Sequence, residues 1–244
     1  MDNGRVRIQP DDVSAFLDAL RPTKNMALLD ARGAEIGHVS LAGLSAALLF
    51  MDDQQKRIGT VTALIRKGPN PASAVPAPPA LPMIVSSPVP KAPPRLLTGA
   101  DQARLLKPFA CEHKDAGDFS PSHIRLDSKT TLALLPFPCG NGAYNYVALA
   151  LQIDERGRVT PALFDSPPTY GEDPATNEVI GSAWDAEKRT LTSYSKDRGL
   201  GDCGLQTEYV WDGTRFRLIL QEEMRECRGS VEFITLWRAT VVRR

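Results

Sequence analysis

The sequence predicts an α+β protein. A small N-terminal helix–strand layer is joined by a proline-rich linker to a mainly antiparallel β meander with two disulfides. Three observations predict it. Amphipathic stripes at helical spacing, together with strand runs, fill the first sixty or so residues. Pro69 to Pro94 then holds ten of the twenty prolines and one charge, Lys91. Beyond residue 123 the chain reads as β-rich runs separated by turn dipeptides. The expected domains are residues 1–68, a linker at 69–94, and residues 95–244.

Each element has its own signal. Gln9 to Leu20 is expected as a helix, with Pro10 near its start and Asp11 and Asp12 at the positive end of the dipole. Val13, Phe16, Leu17 and Leu20 form its apolar stripe. "NMALLDARGAEIGHVSL" reads as strand, turn at Arg32-Gly33, strand. Ser40 is expected to cap a second helix with Leu41, Leu44, Leu48 and Met51 on one face, stopped by Gly59. "TVTALIRKG" reads as a third strand. The proline segment cannot build a core and reads as an extended surface connector. Thr98 caps a short helix. "KTTLALLPFPC", "YNYVALALQID", "GRVTPALFD", "RTLTSYSKD", "LQTEYVWDGTRFRLILQEEM" and "FITLWRATVV" supply the meander. Asp212-Gly213 is its firmest hairpin signal, because both residues tolerate positive φ. A curved sheet, a sandwich and an open barrel all fit.

Composition narrows the function classes. Lys plus Arg and Asp plus Glu balance at 29 each, so there is no electrostatic footprint for nucleic acid or an anionic membrane. No apolar run is long enough for a transmembrane helix; the longest, Leu44 to Met51, stops at Asp52. "MDNGRVRIQP" is not a signal peptide, which leaves a cytoplasmic protein or a truncated chain. The four cysteines, Cys111, Cys139, Cys203 and Cys227, all fall in the second half. They allow three pairings. The sequence-local one, Cys111–Cys139 with Cys203–Cys227, is expected, each loop worth about 3–4 kcal/mol.

"KDRGLGDCGLQTEYVW" offers three chemistries. A phosphate loop needs a helix after it, and a strand follows here. A nucleophilic Cys203 needs a base, and the only histidines are His38, His113 and His123. For a metal, the spacing of Cys111 and His113 is too tight and no CxxC exists, so no metal or cofactor is expected. A glycine-rich turn stapled by Cys203 remains. "FPCGNGAYNY" looks like a companion loop. Asn141, Tyr144 and Asn145, with Arg198 and Asp202, form a candidate ligand rim.

"SLAGLSAALLFMDDQQKRIGTVTALIRKG", "PCGNGAYN", "KDRGLGDCG", "YVWDG" and "MRECRGS" with "WRATV" resemble a proteobacterial exported family catalogued as domain of unknown function eleven seventy-six. The likeness runs from about Val6 to the C-terminus. The Ser40–Gly43 stretch also faintly resembles invasion-associated locus B proteins. The family resemblance implies a secreted or periplasmic protein with paired cysteines, in an oxidising compartment. It implies no known activity, so no catalytic residue is carried over. Family members usually carry a signal peptide and more upstream sequence, which bears on the N-terminus of this chain.

Three functions are expected from these readings. The first is a non-catalytic binding or interaction module with an envelope protein or cell-wall ligand as partner. The second is a hydrolase of envelope material using Asp202, Asp197 and Glu208 with His113 or His123. The third is a structural envelope component.

Overall fold

The computed structural model describes residues 8–109, 120–137, 141–166, 177–230 and 232–243. The chain divides into two compact units, Met1–Ala80 and Leu81–Arg244. The boundary falls inside the proline-rich segment.

In the first unit a 3-10 turn at Pro10–Asp12 leads into α1 (Val13–Leu20). β1 (Asn25–Leu29) and β2 (Glu35–Ser40) form an antiparallel hairpin, as the alternation predicts. α2 (Leu44–Gln54) starts later than expected. Ser40 is not its cap. The Ser40 hydroxyl accepts from the Ala42 N–H at 3.3 Å, and the N-cap is Gly43 at φ +85°. The helix also ends before Gly59, at a turn where Lys56 takes φ +55°. "TVTALIRKG" is not a strand. Two of its backbone donors go to Asp52 instead: the fully buried carboxylate accepts from Leu64 N at 2.9 Å and Ile65 N at 2.8 Å, with Arg57 at 3.2 Å. A buried carboxylate must be bonded, and this one folds the chain into a turn around itself.

The second unit begins within the expected linker. Met83–Ser86 forms β3, and Ile84 is buried. α3 (Gly99–Leu106) is closed by a capping box, with Thr98 and Asp101 satisfying each other's backbone N–H. β4 (Ser122–Arg125), β5 (Thr131–Pro136), β6 (Val147–Ile153) and β7 (Val159–Pro161) make one antiparallel sheet in that order. β8 (Glu178–Ile180) shares the β7 edge of β6. The chain then crosses to β9 (Ala183–Asp185), β10 (Thr190–Lys196), β11 (Gly204–Trp211), β12 (Phe216–Met224) and β13 (Ile234–Arg238). These form a second antiparallel sheet in sequence order. β14 (Thr240–Arg243) leaves that sheet to pair in parallel with β3.

The two sheets pack face to face, so the architecture is a layered sandwich and not a closed barrel. Leu132, Leu134 and Ala150 of one sheet meet Leu191, Tyr209, Trp211, Phe216 and Leu218 of the other. The first sheet is covered on its outer face as well. Ala133, Leu135, Leu149 and Leu151 pack there with Leu105 and Leu106 of α3. Burial on both faces explains why "TLALL" reads as an unbroken apolar run. On the outer face of the second sheet, Val210 and Ile219 pack under Ile84 of β3 and Val241 of β14.

The turns share a device. Asp30, Asp127, Asp154, Asp185 and Asp212 each open a turn and accept two backbone N–H groups from two to four residues ahead. The carboxylate replaces the bonds that a tight turn leaves unmade.

Candidate functional site

At one end of the sandwich, three chain segments converge. They are the loop from β10 to β11, the loop after β12, and residues 141–146 before β6. The Cys203–Cys227 disulfide joins the first two, with Cα atoms 4.8 Å apart. It is the disulfide among the described residues. The expected Cys111–Cys139 pair lies outside them, as does His113.

The β10–β11 loop is drawn tight around Asp202. Arg198 meets this carboxylate with two parallel bonds, at 2.7 and 2.5 Å, and Gly229 N donates to it from the loop after β12. Tyr194 donates its hydroxyl to the Gly201 carbonyl at 2.6 Å. Gly204 must be glycine: φ is +134°, and a Cβ there would stand 2.1 Å from the Ser195 carbonyl oxygen.

The third segment docks through side chains that imitate backbone. Asn145 donates to the Lys196 carbonyl at 2.9 Å and accepts from the Lys196 N–H at 3.1 Å, which caps the end of β10. Tyr144 donates to the Asp197 carbonyl at 3.1 Å, and its ring lies where a Cβ on Gly199 would reach it at 3.4 Å. Asn141 accepts from Val147 N at 2.9 Å, shaping the entry to β6. The expected rim residues Asn141, Tyr144, Asn145, Arg198 and Asp202 thus all belong to this region, and each is hydrogen-bonded within the protein.

Tyr144 of the expected rim is 38% exposed, but two residues that face outward more fully were missed in the sequence. Leu200, at the tip of Gly199-Leu200-Gly201, is 80% exposed, and Tyr146 is 51% exposed. The available signal was a lone large apolar residue between glycines in a charged stretch.

The hydrolase candidates are differently employed. Arg198, together with Gly229 N, holds the Asp202 carboxyl far below the usual carboxylate range against the opposing effect of desolvation. Glu208 stands on β11 opposite Leu220. His123 on β4 accepts the Leu97 N–H on Nε2 at 3.0 Å, and burial lowers its pKa. His38 lies on β2, in the other unit. Ligand atoms of Asp197, Cys203 and Cys227 fall within 4.8 Å of one another, but both sulfurs are spent on the disulfide and offer no thiolate.

The Asp202 pairing predicts an acid-sensitive contribution. A depressed folded-state pKa adds stability above the unfolded value, about 3.9, and loses it as pH falls toward the folded value. In urea titrations, Asp202→Asn is expected to be less stable than the parent at pH 7. The gap should close progressively below about pH 4. A gap that stays constant down to pH 2 would remove the ion pair from the account.

The fold is a mostly antiparallel β domain whose loops are stapled by a disulfide, and comparison with known proteins fixes the lineage. The chain belongs to the family described as Protein of unknown function (DUF1176), whose model matches residues 1–240. The resemblance carried by "PCGNGAYN" and "KDRGLGDCG" is therefore shown. The chain is 32% identical over 236 residues to "Uncharacterized protein YpfG" of Escherichia coli (strain K12), covering 92% of this chain and 65% of that protein. It thus spans just under two thirds of that relative's length. No solved structure matches it. No helix among the described residues is long and apolar enough to cross a membrane.

Proposed function

We propose that this chain is a periplasmic or secreted binding module, and that it holds an envelope partner on the loop node around Cys203–Cys227. The observation that carries this reading is Leu200. A large apolar side chain 80% exposed on a loop fixed by a disulfide and a bidentate ion pair is preorganised to enter a pocket. Ordering the loop beforehand removes an entropic cost that a flexible loop would meet on binding. The rim residues act as its frame. A disulfide joining two loops also suits an oxidising compartment.

The test places a photo-crosslinking residue at Tyr146 in the full protein, expressed in its native envelope, with Leu200 kept or changed to Asp. A discrete product is expected that Leu200→Asp reduces about tenfold, the loss of one buried apolar anchor. A product of equal yield from both proteins, or none from either, would overturn the reading. Reactive thiols at Cys203 and Cys227 in protein taken from that host would contradict the compartment.

A further inference from the structure

A second concavity lies on the outer face of the second sheet, beyond the part that β3 and β14 cover. Its floor is a row across the strands. Tyr194 on β10 is paired with Gln206 on β11, Gln206 with Glu222 on β12, and Glu222 with Thr235 on β13. Directly paired residues share a face. Tyr209 and Trp211 on β11 point into the core between the sheets, so by alternation Gln206 points the other way, as Val210 does. Gly201, Glu232 and Phe233 complete a pocket of about 500 Å³.

The lining has a particular chemistry. Tyr194 and Phe233 meet edge to face, with centroids 5.9 Å apart at 71°. Two carboxylates, Glu222 and Glu232, stand on the same walls. Among the described residues Glu222 accepts from the Thr235 hydroxyl at 3.0 Å, and a carboxylate offers about four acceptor positions. Ring faces beside carboxylates attract a cation carried on an apolar stem. The chain supplies its own instance: Lys196 Nζ lies 5.7 Å from the Tyr194 ring centroid, and its stem runs beside Gly201. The Tyr194 phenol is pushed up, first by burial and then by the charges of Asp202 and Asp197.

We propose that this pocket binds an alkylammonium group, with Tyr194 and Phe233 against its stem and charge, Glu222 and Glu232 as counter-charges, and Lys196 as a tethered competitor. Free diamines and the lysine side chains of peptides share this chemistry. The site is separate from the Leu200 contact and does not rest on it.

The experiment is an NMR titration of the whole protein at low salt with 1,5-diaminopentane, with N-acetyl-lysine methylamide, and with N-acetyl-norleucine methylamide. Saturable shifts at Tyr194, Gln206, Glu222 and Phe233 are expected with the two ammonium probes and none with norleucine. Glu222→Gln should weaken binding about tenfold, the scale of one charged hydrogen bond. Lys196→Met should strengthen it severalfold, which a residue serving only to support the fold would not do. The tighter of the two ammonium probes identifies the source. Leu200→Asp should leave these titrations unchanged, so failure here and failure of the loop contact are read separately. Absence of saturation, equal binding by norleucine, or a Lys196→Met protein that binds no better would overturn the proposal.

Discussion

The double variant Cys203→Ala/Cys227→Ala is expected to lose about 3–4 kcal/mol of unfolding free energy and about 10 °C in melting temperature. The bond joins residues 24 apart in sequence, and releasing it returns loop entropy to the unfolded chain. The loss should not be spread evenly. Cys203 is fully buried and sits one residue from Asp202, whose carboxylate also receives Gly229 N from the same loop as Cys227. The staple and the carboxylate therefore tie the same two loops. Hydrogen exchange should rise first at residues 197–203, while β5 and β6 stay protected until global unfolding. Crosslinking that depends on Leu200 should fall with it, because the loop would then have to be ordered on binding. Identical melting of the oxidised and reduced proteins would show that the polar frame alone holds the node.

Phe216→Ala is expected to cost about 3–5 kcal/mol, at the upper range for large-to-small changes in a core. Phe216 is fully buried, stacked on Phe164 at 4.8 Å and tilted against Trp211 at 5.2 Å. Its backbone is fixed as well. Phe216 N donates to Leu163 O at 2.8 Å, and Asp165 N donates to Phe216 O at 2.9 Å. Asp165 in turn accepts from Arg217 Nε at 2.8 Å and Leu218 N at 3.2 Å. With both walls pinned, the cavity cannot close. A urea midpoint shifted by less than the equivalent of about 1 kcal/mol would mean that the sheets do slide together. Below its melting temperature this variant should still crosslink through the Leu200 surface if that loop makes the proposed contact, which separates loss of core packing from loss of the loop.

Hairpins were the most legible part of the fold. Asp212-Gly213 and the turns at Arg32-Gly33 and Arg156-Gly157 announce themselves through glycine, and each has an aspartate at its start that the structure puts to use. The turns after Asp127 and Asp185 lack glycine and were silent in the sequence; there the carboxylate bonds are the chief local signal. "TVTALIRKG" misled because β-favouring composition says nothing about who takes the backbone donors, and a buried Asp52 took those of Leu64 and Ile65 while turn carbonyls took others. β3 was hidden by flanking prolines, which an edge pairing with β14 tolerates. The site was legible residue by residue but not as an assembly. Asn145 finds Lys196 across 51 positions, a meeting that no local pattern encodes.

The staple also has a topological meaning. Cys203 lies just before β11 and Cys227 just after β12, so the bond and the hairpin between them form a closed covalent ring with Asp212-Gly213 at its far pole. A single backbone cut at that pole opens the ring without dividing the molecule. Residues beyond 227, including β13 and β14, stay attached through sulfur instead of through peptide. In a compartment that contains proteases, a chain nicked at that hairpin would remain one particle, with the loop that carries Leu200 still in register.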